Sequence, residues 1–240
     1  MTDGLDIGSQ RPARQPVFNA PWTVMALVAI LVGAHAVRVL GGGSADQFAL
    51  TSADLAERRL DGLLTYQFVH ASWAHVLVNS AFVLAFGAPV ARYLGGGARG
   101  AAVFFAFFLF CGVVAAALYA GMVDALDSAV GQGRSAWALV GASGAASGLM
   151  GAAARLIQGQ GRPGSLVGRT VVGMTFGWIA VNAVLGLSGL TPGTAGAPVA
   201  WQAHIFGYFC GLLLIGAAGR LAGLEQTPPG RIRLGGDNLL

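Results

Sequence analysis

Six apolar stretches, each close to the ~20 residues that a helix needs to cross a bilayer, account for most of this chain. They run from Pro21 to Leu40, Ala74 to Leu94, Ala101 to Gly121, Trp137 to Ile157, Thr170 to Leu190 and Val199 to Leu221. Backbone groups in hydrocarbon must be paired inside the segment itself, so stretches of this length predict helices. The expectation is an all-α polytopic membrane protein with a six-transmembrane-helix bundle over residues 21–222. Residues 1–20 and 223–240 then form polar tails. A chain that is 55% hydrophobic and only 10% charged fits no ordinary soluble domain.

The charges indicate an orientation. Every basic residue is an arginine, 14 in all. Arg11 and Arg14, Arg92 and Arg99, Arg155, Arg162 and Arg169, and Arg220, Arg231 and Arg233 fall in alternate connections, on one side of the membrane. The opposite loops mix Arg38, Arg58, Arg59 and Arg134 with six acidic residues between Asp46 and Asp127. The positive-inside rule therefore puts both termini in the cytoplasm. Arginines spread over short loops form no groove for nucleic acid. Arg11, Arg14 and the "AHA" at 34–36 also resemble a signal peptide, but the apolar run continues to Leu40. Cys111 and Cys210 lie inside apolar runs without metal-ligand spacing and read as packing residues.

Two loops stand out. The leucines of "LTSADLAERRLDGLL" (residues 50–64) are spaced among charges, which predicts an amphipathic helix in the outer interface. The Gly/Pro-rich 188–198 loop has the composition of a lid.

Polar groups inside spans are costly and therefore informative. His35 and His70 fall near span ends, where an interfacial position is the ordinary expectation. His75 and Asn79 lie ~40° apart on one helix face, whereas His70 would be ~140° from His75 on a continuous helix. In the sixth span His204 shares a face with Gly207 and Gly211. In the fourth, Ser143 adjoins a stripe of Gly144, Gly148 and Gly151. Such stripes commonly serve helix association alone. Here they let the two backbones approach until Ser143 reaches the His204 imidazole. With the termini inside, His75, Ser143 and His204 all fall near the outer ends of their helices. Every Asp and Glu falls in a loop or tail, so the chemistry expected is a Ser–His dyad. His75, Asn79 and the Ser143 backbone N–H would then be donors to an oxyanion. No His-Glu-x-x-His occurs, and no metal or cofactor is expected. Phe176 and Trp178 in the fifth span are candidate gate residues against the second span.

"HASWAHVLVN" (70–79), "GASG" (141–144) and "AHIFGYFCG" (203–211) together resemble the three signatures of the rhomboid intramembrane serine proteases: His-x4-His-x3-Asn, Gly-x-Ser-Gly and Ala-His-x2-Gly-x3-Gly. The resemblance covers residues 20–222 and implies a rhomboid-like six-helix fold. It makes Ser143 the nucleophile and His204 the general base, with His75 and Asn79 at the oxyanion and Gly141 and Gly144 supporting the site. It implies single-pass transmembrane proteins as substrates, cleaved without metal or ATP. The expected location is a bacterial inner membrane, with the site opening to the outer side. Two positions depart from the family pattern. Ser147 stands where many members carry a tyrosine that packs on the base, and Asp61-Gly62 where many carry Trp-Arg. An inactive rhomboid-like protein that escorts transmembrane clients is the alternative. It would ordinarily lack Ser143 or His204.

Overall fold

The structure, a computed structural model, describes residues 20–133, 135–189 and 200–224. Helix α1 (Trp22–Leu40) buries Val24, Leu27 and Leu31 and leaves its other faces outward, as a peripheral membrane helix does. After it comes a loop of short pieces: strand β1 (Leu50–Thr51) and helices α2 (Ser52–Ala56) and α3 (Gly62–Thr65). This corrects the single amphipathic helix expected there. Thr51 ends the strand and caps α2 reciprocally with Asp54, while Arg58 takes φ 60° and stops the helix. Leu50 is buried and Leu60 and Leu64 are exposed, so these leucines form no common apolar face.

Helix α4 (Trp73–Leu94) is capped by Ser72, whose hydroxyl accepts from the His75 N–H at 3.2 Å. Pro89 lies inside it, where neighbouring membrane helices offset the lost hydrogen bond. Helix α5 (Ala98–Ala129) has 32 residues, about 48 Å of helix. It continues past the predicted end at Gly121. The Asp127 carboxylate at its tip accepts from the Ser135 N–H and hydroxyl, both at 2.7 Å.

The fourth predicted span is the largest correction. Its first residues form strand β2 (Ala138–Leu139), antiparallel to β1 with Leu50 opposite Leu139 and Thr51 opposite Ala138. Only then does helix α6 (Ser143–Gln158) begin, 16 residues and about 24 Å long. Gly141 forces the change: it takes φ +109°, a conformation that side chains resist. Helices α7 (Arg169–Ser188) and α8 (Trp201–Leu221) complete the fold.

Among the described residues five helices, α1, α4, α5, α7 and α8, are long and apolar enough to cross a membrane. The shorter α6 packs against α4, α5, α7 and α8 and is buried along most of its length. Its glycines account for this central place. A Cβ added at Gly207 would collide with the Gly144 carbonyl, one at Gly211 with the Gly148 carbonyl, and one at Gly151 with the Tyr208 carbonyl. Two backbones thus touch where side chains would ordinarily hold them apart. Leu27, Val83, Phe104, Phe108 and Leu149 form the main core around this pair.

Candidate active site

Three helices begin at the same end of the bundle, α4, α6 and α8, and each places a polar group near its first turn. Ser143 opens α6 directly after the Gly141 turn, so its backbone N–H is one of the donors a helix start leaves without an intrahelical partner. His204 lies in the first turn of α8. The glycine-to-glycine approach of α6 and α8 sets their separation, and His204 Nε2 lies 2.8 Å from Ser143 Oγ.

The other imidazole nitrogen, Nδ1, lies 2.7 Å from Oδ1 of Asn182 on α7. Asn182 is buried, and its Nδ2 donates to the Trp178 carbonyl at 2.9 Å. The Trp178 ring lies beside His204, with centroids 6.3 Å apart and planes tilted by 34°. Sequence reading missed Asn182. Its four-residue spacing from Trp178 was available, but nothing in the sequence says which face of α7 meets α8.

His75 and Asn79 both face the Gly141 turn. A Cβ at Gly141 would stand 2.8 Å from His75 Nε2 and 3.4 Å from Asn79 Nδ2, so glycine leaves the space between these side chains and the turn before Ser143 open. The Asn79 Nδ2 is buried and has no hydrogen-bond partner among the described residues. A buried donor normally has one. Gly144 stands against Ala115 and near Tyr66 Oη. A cavity of about 540 Å³ joins Ser143, His204, His75, Asn79, Asn182 and Trp178, within the range of small-molecule and cofactor sites.

The loop after α1 holds the Gly141 turn from behind. The Gly141 N–H donates to the Tyr66 carbonyl at 2.9 Å, and the Tyr66 hydroxyl donates to the Gly112 carbonyl at 2.8 Å. His70 and His35 are both buried within the protein. His70 Nε2 accepts from the Ala142 N–H at 3.4 Å. Arg38 donates to the His70 carbonyl at 2.7 Å, to Gly43 O at 2.8 Å and to His35 Nδ1 at 3.3 Å. These bonds tie the loop to α1, while His35 Nε2, His70 Nδ1 and Arg38 Nε are buried without a partner among the described residues.

The two candidate gate residues part company. Trp178 packs against Phe82 of α4, with ring centroids 5.4 Å apart and planes tilted by 48°, whereas Phe176 is 70% exposed on α7. The 188–198 loop lies outside the described residues from 190 onward. At the positions that depart from the family pattern, the Ser147 hydroxyl donates to the Ser143 carbonyl at 2.7 Å. Asp61 precedes α3, and Gly62 fits against Leu50.

A search of curated proteins gave no match. The family model for the Rhomboid domain matches residues 57–220, more than half of the chain and all of the site just described. This multi-pass integral membrane protein therefore belongs to the rhomboid family, whose members are generally intramembrane serine proteases.

Proposed function

We propose that this protein is an active intramembrane serine endopeptidase that cuts single-pass membrane proteins in or near their transmembrane segments. The observation that carries the proposal is the 2.8 Å approach of His204 Nε2 to Ser143 Oγ inside a cavity lined by unpartnered donors. An escort protein has no use for that geometry. As His204 takes the hydroxyl proton, Oγ attacks the scissile carbonyl carbon and its oxygen becomes an oxyanion. Asn79 Nδ2, His75 and the Ser143 N–H supply the donors for that charge, and they act most strongly in a water-poor site. The tetrahedral intermediate collapses, the C–N bond breaks, and the imidazolium returns its proton to the leaving amine. Water then hydrolyses the acyl ester with His204 again as base.

The arginines support a site that opens to the outer side of the membrane. Arg92, Arg99, Arg155, Arg169 and Arg220 lie at helix ends opposite those bearing Ser143, His75 and His204. By the positive-inside rule that end is cytoplasmic. A substrate helix would enter laterally between α4 and α7, where Phe82 meets Trp178.

The test is cleavage of tagged single-span proteins by the purified chain in lipid. Parent protein is expected to release fragments cut in or beside the span, and Ser143→Ala and His204→Ala to release none while remaining folded. Full cleavage by Ser143→Ala, or none by the parent across a broad panel, overturns the proposal.

A further inference from the structure

The departure at Ser147 poses a question that the dyad alone does not answer: what keeps the His204 ring in the orientation that makes it a base? An imidazole can be protonated on either nitrogen, and only the form with a free lone pair on Nε2 can take a proton from Ser143. Which form is present depends on the bond made by the other nitrogen. Ser147, four residues after the nucleophile, commits its hydroxyl to the Ser143 carbonyl and gives the ring no such partner.

Asn182 supplies it. Its amide has two ends, and the hydrogen-bond network fixes which is which. Within α7 the Trp178 carbonyl can only accept, so the amide atom 2.9 Å from it is the NH₂. The atom 2.7 Å from His204 Nδ1 is therefore the carbonyl oxygen, which can only accept. Nδ1 must then carry the proton, and the Nε2 lone pair is left for Ser143. Asn182 is almost wholly buried, so water does not compete for either bond. The same helix turn brings the Trp178 ring alongside the imidazole.

We infer that Asn182 is the third member of the catalytic group, a positioning residue on α7 that holds His204 in the tautomer and orientation of a base. The inference rests on the proposed role of Ser143 and His204. It also gives α7 two roles. The helix that closes the lateral opening through Trp178 and Phe82 carries the acceptor that readies the base, so the base is fully oriented while α7 is seated.

The experiment compares parent, Asn182→Leu and Asn182→Asp, each as full chain in lipid. It follows the rate at which a fluorophosphonate acylates the serine, kcat and KM for a single-span substrate, and the ¹⁵N spectrum of His204. Leucine keeps the branched shape and the number of side-chain heavy atoms and removes the acceptor. Aspartic acid in its neutral form keeps both bonds, donating its hydroxyl to the Trp178 carbonyl and accepting from Nδ1. Asn182→Leu is expected to lower both the labelling rate and kcat by about 10- to 100-fold, with KM little changed and His204 divided between tautomers. Asn182→Asp is expected to restore most of the rate, and the parent to show a single Nδ1–H form. A folded Asn182→Leu protein that labels at the parent rate overturns the inference. If that variant fails to fold, a parent His204 protonated on Nε2 overturns it equally. Failure of the protease reading itself looks different: the parent would not label at all.

Discussion

Asn79 and His70 are both buried polar residues beside the Gly141 turn, and they differ in what their free atoms face. Asn79 Nδ2 is unpartnered and directed at the turn, so its contribution appears only when an oxyanion forms. Asn79→Ala is expected to lower kcat by about 10²–10³-fold with little change in stability, and His75→Ala to act in the same direction. His70 already commits its Nε2 to the Ala142 N–H. Its loss leaves a buried donor unsatisfied, a cost of about 1–3 kcal/mol, so His70→Ala is expected to lower the thermal midpoint more than Asn79→Ala does. Steady-state kinetics and thermal unfolding of the three variants in the same lipid check both statements. The His75 and Asn79 pair was legible in the sequence because one helix carries both and 100° per residue holds along it. His70 was not, because α4 starts at Trp73 and helix geometry does not extend backward into the loop. Asn182 stayed hidden for a related reason: its partner is on another helix, and periodicity along α7 says nothing about which neighbour a face meets.

At the scale of elements, the approach of α6 to α8 holds Ser143 beside His204. Gly211→Ala would drive a methyl group into the Gly148 carbonyl, and relief requires the helices to part. Overpacking of this kind costs about 1–3 kcal/mol, and separation also draws His204 away from Ser143. Stability and cleavage are therefore expected to fall together. Gly173 and Gly177 on α7 have open space where a Cβ would go, so alanine at either is expected to leave the thermal midpoint unchanged or slightly higher. Parallel thermal unfolding and cleavage assays distinguish a close-approach glycine from a permissive one. This pairing could be read from the sequence as two small-residue stripes. The strand before α6 could not, because a short apolar run such as "AWALV" fits a strand or a helix equally by periodicity. Tertiary pairing with β1 and the positive φ of Gly141 decide between them. The short pieces between α1 and α4 were misread for the opposite reason: leucine spacing outweighed a local cap at Thr51 and a break at Arg58.

For the whole molecule, the proposed hydrolysis within lipid requires water from one direction and a substrate helix from another. The Phe82–Trp178 contact is where α4 and α7 close on each other beside the cavity. Trp178 also lies beside His204, so truncating it would disturb the proposed base as well as access. Phe82 is the cleaner variant. Phe82→Val is expected to raise the cleavage rate of a single-span substrate and to change that of a short soluble peptide much less, since the peptide enters from the aqueous side. Equal rate ratios for the two substrates would argue against lateral entry at this seam. That the chain is a multi-pass helical membrane protein was readable at this scale, because the bilayer imposes length and apolarity on sequence directly. Helix lengths were not, since α5 outruns the hydrocarbon and α6 stops short of it. The protease mechanism depends on Ser143 being a nucleophile activated by His204. The most direct measurement is the mass of the Ser143 peptide after the protein, in lipid, is treated with a fluorophosphonate. The account predicts an adduct on Ser143 in the parent and none in folded His204→Ala. A folded parent protein that stays unmodified, or an adduct that forms at the same rate without His204, would contradict it.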